Sequence, residues 1–381
     1  MRGKSDDQPA MFYAIDIEAL IRDDHPLRPI KKRVDAELIT MNHAFDAAYG
    51  STGRPGVPPE RLLKAMLLQA LYSVRSERQL VERIATDMLF RWFLDMDPAE
   101  AMFDHSAFSH NRQRLEQFNL VSLFFDGVVR QAMGEGLCSD DHFTVDGTLI
   151  QSHASLKSLK PIAPAPGSED DDNDHDDTNH TPGGRNPQVN FHGQRRSNKT
   201  HRSTTDPQAK LYRKGAGQPA YLHHSAHALT ENRHGLIMAV GVDEASGVAE
   251  RDQALAMLDQ LYEKHGVTPQ TLGTDKGYAS GEFLTDLVGR VVRPHVAMPD
   301  VSIKGNTEHH DRRRRMKRRM KTMGYTISQR RRKLVEEAFG WIKTVAGLRR
   351  TRLVGRWKLK LQVTISAAAY NLVRMTKLAG C

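Results

Sequence analysis

The clearest amphipathic pattern in the chain lies between residues 330 and 346. In RRRKLVEEAFGWIKTVA, the residues Leu334, Val335, Ala338, Ile342, Val345 and Ala346 occupy one side of a helical wheel, over an arc of roughly 120°. Arg332, Glu336 and Lys343 are spaced by four and seven residues. At about 100° per residue they share a narrow stripe on the other side, and Phe339 lies on it too. This predicts one helix with a core-facing side and a cation–carboxylate–cation ladder turned toward something else. The plain alternative is a solvated face of i,i+4 ion pairs, each worth about 0.5 kcal/mol or less.

Upstream, helical and strand periods alternate in blocks. Residues 17–48 read as mixed helix with polar breaks, and GSTGRPGVPP at 50–59 as a Gly/Pro linker. ERLLKAMLLQALYSV is an apolar helix started by the prolines, and Ser76 caps a second one, ERQLVERIATDMLFRWFL. Asp104 or Ser106 caps a short polar helix carrying Ser109, His110, Asn111, Arg112 and Arg114. From residue 142 the period becomes two. HFTVDGTLIQSH is a strand with Asp146 at its middle, and AYLHHSAHALT and GLIMAVGVD form a hairpin through ENRHG. Then come a helix (AERDQALAMLDQLYEKHG), a short buried strand ending at Asp275, a helix (GEFLTDLVGR) and a strand (VVRPHVAMP). The expected architecture is a mixed α/β sheet with flanking helices, preceded by an all-α region. It divides as 1–50, a helical arm; 51–135, a helical domain; and 136–381, the α/β domain.

Charge sharpens this picture. The net charge is +9 and the sequence pI near 9.5, which favours polyanions, nucleic acid foremost. Residues 303–333 form a basic belt with 12 Lys/Arg between 312 and 333, a density that calls for an anionic partner; Arg313 and Arg314 are its representative phosphate contacts. The polar helix with Ser109, Asn111, Arg112 and Arg114, third in a run of three, resembles a helix-turn-helix reading DNA. A low-complexity insertion at 157–205 holds seven acids in 169–177 and is expected to be disordered or loosely held, its acidic segment 168–180 competing with DNA for the belt. Cys138 and Cys381 have no metal-ligand spacing, no apolar run reaches about 18 residues, and the N-terminus has no signal-peptide core. A cytoplasmic protein without a membrane span is expected. The 18 histidines, LHHSAH included, fit no zinc motif.

Three carboxylates stand at chemically useful places. Asp146 lies within the first strand and Asp275 at the carboxyl end of the fourth, where α/β sheets place ligands. Glu336 lies on the ladder. If the sheet brings those strands together, the three converge as hard oxygen donors suited to Mg²⁺ or Mn²⁺. Two such ions about 4 Å apart activate an attacking oxygen and stabilise a leaving one at a phosphodiester. Glu337 is the rival to Glu336, about 100° round the helix. Lys276 is a candidate phosphate contact and Tyr278 a packing residue.

TVDGT, TDKGY and RRRKLVEEAFGWIK, in that order, resemble the catalytic segments of bacterial insertion-sequence DDE transposases, family five within the family-four group. That group has a ribonuclease H-like core and the signature Tyr-x2-Arg-x3-Glu-x6-Lys. Arg332, Glu336 and Lys343 match; Gln329 stands at the tyrosine position. HPLRPI, FDHSAFSHNRQRL and AAAYNLVRM extend the likeness over most of the chain. The resemblance implies that Asp146 shares two Mg²⁺ or Mn²⁺ ions, that Asp275 and Glu336 each complete one site, and that Arg332 and Lys343 hold phosphate. It also implies double-stranded DNA as partner (element ends and target), a homodimer on DNA, and cleavage followed by strand transfer. No nucleotide cofactor is implied, and no GxxxxGKS motif is present. Rival readings are a ribonuclease H-like structure-specific nuclease and a non-catalytic helix-turn-helix regulator.

Overall fold

A computed structural model of the protein describes residues 15–50, 56–162, 190–191, 194–213, 218–246, 249–300 and 307–380. The N-terminal region is helical throughout: α1 (Ile17–Leu20), α2 (Leu27–Thr40), α3 (Asn42–Ala48), α4 (Pro59–Leu71), α5 (Glu77–Thr86), α6 (Met88–Phe93), α7 (Ser106–Gln117) and α8 (Leu120–Gly134). Pro59 opens α4, and Leu62, Leu63, Leu67 and Leu68 are fully buried, each contributing about 1.5–3 kcal/mol by leaving water. Ser76 Oγ accepts from Gln79 N–H and caps α5. The second helix expected here is broken in two, because Asp87 turns its carboxylate to Leu89 N–H and starts α6 afresh. Asp104 takes the Ser106 N–H ahead of α7.

The strands are β1 (His142–Gln151), β2 (Leu159–Pro161), β3 (Asn190–Phe191), β4 (Gln194–Arg195), β5 (His201–Ser203), β6 (Lys210–Tyr212), β7 (Tyr221–Glu231), β8 (Ile237–Glu244), β9 (Thr271–Thr274) and β10 (Arg293–Val296). Six make the central sheet, in the order β10-β9-β1-β7, with β8 and β6 pairing different stretches of β7. The β1–β7, β7–β8 and β6–β7 pairs are antiparallel; β9 runs parallel to β1, and β10 parallel to β9. The hairpin expected between β7 and β8 forms, with Gly235 at φ 72° and the Glu231 carboxylate taking the Arg233 and His234 N–H groups. The later elements are α9 (Ala249–His265), α10 (Gly281–Gly289), α11 (Glu308–Arg319), α12 (Met323–Arg331), α13 (Leu334–Thr344) and α14 (Arg356–Ala379). α9 and α13 both pack on β1 and β7.

α14 joins the two halves. It lies against β8 and α13 on one side and α8, α4 and α2 on the other, and its interior residues Leu359, Val363, Ala367, Ala368 and Leu372 are buried. Asn371 donates to Ile237 C=O (2.7 Å) and accepts from Ile237 N–H (2.9 Å), satisfying the backbone at the start of β8. One apolar cluster runs from Ile21 to Met375 across the boundaries drawn at 50 and 135.

Two expectations need correcting. The stretch 330–343 is not one helix. α12 ends at Arg331, and Arg332–Lys333 form a tight turn with i→i+3 bonds (Val335 N to Arg332 C=O, Glu336 N to Lys333 C=O) before α13 begins. The margins of the insertion are ordered. β2 pairs with β5, and Asp206 just after it accepts from Ser152 Oγ (2.7 Å) and bonds His224 Nε2 (2.8 Å), all three buried. The acidic segment 168–180 itself, and belt residues 303–306, lie outside the described residues. No helix among the described residues is long and apolar enough to cross a membrane.

Candidate active site

β9 pairs with β1 only from His142–Thr271 to Thr144–Gly273. The same register carried on would set Asp146 beside Asp275, at the point where β9 stops and the strands part. Asp275 caps the short turn Lys276–Tyr278, its Oδ1 accepting from Gly277 N–H at 2.8 Å. Asp146 Oδ1 accepts from Gly147 N–H at 2.8 Å, and its Oδ2 lies 3.6 Å from Arg332 Nη1.

The electrostatics tie these groups together. Burial pushes the Asp146 carboxyl up to about 6, and the charges of Asp275 and Glu336 add to the rise, against Arg332 and the Gly147 N–H. Glu336 therefore lies near enough to Asp146 for its charge to act there. Glu337 lies instead by Tyr370 of α14, whose hydroxyl is held above its usual range by burial, with a smaller push from Glu337. The tight turn does not disrupt the ladder at this end, since it keeps helical φ/ψ at Arg332 and Lys333. Phe339, expected on the polar stripe, is buried where α13 meets β1 and β7. Lys343 sits farther along the sheet, near enough to His223 that its charge helps to lower that imidazole, after burial. His223 pairs with Gln151, five residues beyond Asp146.

One functional candidate escaped the sequence reading. Glu250, in the first turn of α9, is held above the normal carboxyl range by burial and then by the charges of Asp275 and Asp146. Tyr278 is fully buried against Phe283, consistent with packing. Its hydroxyl, however, has no partner and is raised by burial and by the charges of Glu250, Asp146 and Asp275. The sequence signal was a glycine directly after Asp146 in TVDGT and one two residues after Asp275 in TDKGY, marking places where something approaches the backbone closely.

The other candidates are spread out. Lys276 is exposed beside Asp275. Gln329, at the signature tyrosine position, donates to His295 C=O at 2.7 Å and docks α12 on the end of β10. On α7, Ser109 and Arg114 are exposed, while Asn111 is engaged by Tyr49 and Ala107. Arg114 stacks on Tyr49, 4.5 Å from the ring centre. Arg112 is turned inward to Glu77 and buried. In the belt, Arg314 pairs with Asp311, Arg312 with Glu308, and Arg319 donates to Pro294 C=O; Arg313 is half-buried. A cleft of about 670 Å³ between α4–α5 and residues 344–366 is lined by Arg75, Arg112, Arg350, Arg352 and Lys358, with Glu77 as its acid.

The donor chemistry fits a hard divalent cation. The charges of Asp275 and Glu336 help to raise the Asp146 carboxyl, and the Arg332 guanidinium lies 3.6 Å from it. No group of three or more His, Cys, Asp or Glu among the described residues is arranged to hold a metal ion as it stands.

Two aspartates thus stand at the parting of parallel strands in a mixed sheet, in a chain of net charge +9. Residues 139–372 match the family described as Transposase DDE domain, and residues 15–114 match Transposase domain (DUF772). The chain therefore belongs to the DDE transposases of insertion sequences. Comparison with curated proteins and with solved structures returns no match.

Proposed function

We propose that the protein is a family-five insertion-sequence transposase that binds the terminal inverted repeats of a mobile element, cuts at the element's end and joins the freed end to target DNA. What supports this reading is the β1–β9 register, which carried on sets Asp146 beside Asp275, together with Arg332 3.6 Å from Asp146 and the Asp275 and Glu336 charges that help to raise it. The order β8-β7-β1-β9-β10, with β7 antiparallel to its neighbours, supports a ribonuclease H-like core.

Asp146, Asp275 and Glu336 would hold the ions, Asp146 shared between two. Mg²⁺ or Mn²⁺, when bound, supplies activation of the attacking oxygen and charge stabilisation of the leaving one. In the first step water attacks phosphorus at the element's end and the P–O3′ bond breaks, leaving a 3′-hydroxyl. In the second, that hydroxyl attacks a target phosphorus and displaces the target's own 3′ oxygen. Arg332, beside Asp146, sits where negative charge builds on the phosphate. Lys343 and Lys276 extend that grip along the strand. The exposed face of α7, with Ser109 and Arg114, and the basic cleft give duplex DNA a surface remote from the chemistry; Arg313 and Arg314 add phosphate contacts. Two ends must be held at once, hence a homodimer on DNA, in the cytoplasm.

The test is cleavage of an element-end duplex in Mg²⁺ by Asp146→Ala, Asp275→Ala and Glu336→Ala. Each should abolish cutting with end binding nearly intact. Normal cutting by Glu336→Ala, with loss in Glu337→Ala, would reassign the third carboxylate. A parent chain that binds ends without cutting would favour a regulator, and one that cuts but never joins ends a nuclease.

A further inference from the structure

We propose that Glu250 is a fourth carboxylate of the cation site built around Asp146 and Asp275, reaching it from α9 through space left open by two glycines. The inference rests on the reading that those aspartates hold a divalent cation. A Cβ placed on Gly147 would meet Glu250 Oε1 at 3.3 Å and His227 Nδ1 at 3.0 Å. A Cβ on Gly277 would meet Glu250 Oε2 at 3.5 Å and Asp275 Oδ1 at 3.1 Å. The two oxygens of one carboxylate therefore point at the residue after Asp146 and the residue two past Asp275. Side chains alternate along a strand, so Gly147 faces away from the side that Asp146 faces. Glu250 thus approaches on the Gly147 side of β1, at the gap where β9 has left β1.

No hydrogen bond or ion pair holds the Glu250 carboxylate within the described residues. Two further groups look into the same spot without partners. Tyr278 is fully buried, its hydroxyl unbonded and close enough to Glu250, Asp146 and Asp275 to feel their charges. His227 is fully buried with neither ring nitrogen bonded. Buried donors and acceptors of this kind are normally satisfied, and a hydrated cation brings waters able to do so. The plain rival is that Glu250 is an acid at a helix start, favoured there by the helix dipole.

The experiment titrates Mn²⁺ alone into the full chain by calorimetry, with the free ion followed by electron paramagnetic resonance. Glu250→Gln should raise the Mn²⁺ dissociation constant about tenfold or more. It should also shrink the rise in melting temperature that Mn²⁺ gives the parent. Glu282→Gln, at the equivalent place in α10, should change neither. Glu250→Asp keeps the helix-start charge but shortens the reach, so it should lose affinity too; circular dichroism checks each fold. Parent-like Mn²⁺ affinity in Glu250→Gln, with affinity lost in Asp146→Asn, would overturn the proposal and leave the aspartate site standing. Unchanged affinity in Asp146→Asn and Asp275→Asn would instead overturn the metal reading beneath it.

Discussion

Replacing Asp146 by asparagine should make the metal-free protein more stable. The carboxyl is pushed from 3.8 up to about 6, by burial first and then by Asp275 and Glu336, and the nearby Arg332 only partly offsets this. The folded chain therefore holds this proton more tightly than the unfolded chain. Stability is greatest below the unfolded value, falls as pH rises between 3.8 and about 6, and stays low above that window. A shift of about two units corresponds to about 3 kcal/mol lost at neutral pH. Asparagine keeps the shape without the charge, so Asp146→Asn should recover most of it. At about 2 °C per kcal/mol for a chain of this size, the melting temperature should rise by roughly 5 °C at pH 8 in chelator. At pH 4 the parent's carboxyl is already neutral and the gap should close. Thermal unfolding of both proteins at the two pH values is the assay. Equal stability at pH 8, or the same gap at pH 4, would refute the argument that Asp146 is strained by its neighbours.

Arg332→Ala should slow single-turnover cleavage at saturating protein more than it weakens binding, while Arg313→Ala and Arg314→Ala should do the reverse. Full cleavage by Arg332→Ala at saturation would reduce Arg332 to a grip on DNA. Affinity for random duplex should fall with salt at a log–log slope of about −0.9 per phosphate neutralised, and deletion of 168–180 should strengthen that binding; a flat salt response would remove the belt from the interface.

The candidate site was legible where chemistry and local period coincide. Asp146 sits in a strand whose alternation is plain, Asp275 directly follows a short buried strand, and helical angle alone separates Glu336 from Glu337, which lies by Tyr370. The break in that helix was not legible, because no proline or glycine marks the tight turn at Arg332–Lys333. Nor could local pattern foresee that Asp87 would cap a new helix, or that Arg112 would turn inward to Glu77. Glu250 was invisible for another reason. It is distant in sequence from both aspartates, and its approach depends on β9 ending just short of Asp275. The insertion's margins were misjudged because composition reports average polarity, whereas Asp206 is fixed by two particular partners, Ser152 and His224.

The position of α14 has a consequence for how the protein is made. Helices α2, α4 and α8 are synthesised long before the helix they close upon. During translation the exposed apolar faces of that early layer have no lasting cover until residues 356–379 leave the ribosome. The N-terminal helices and the sheet thus complete their packing together, late in synthesis. A chain cut short before α14 should therefore leave the apolar faces of α2, α4 and α8 uncovered and aggregate, rather than yield a stable N-terminal fragment.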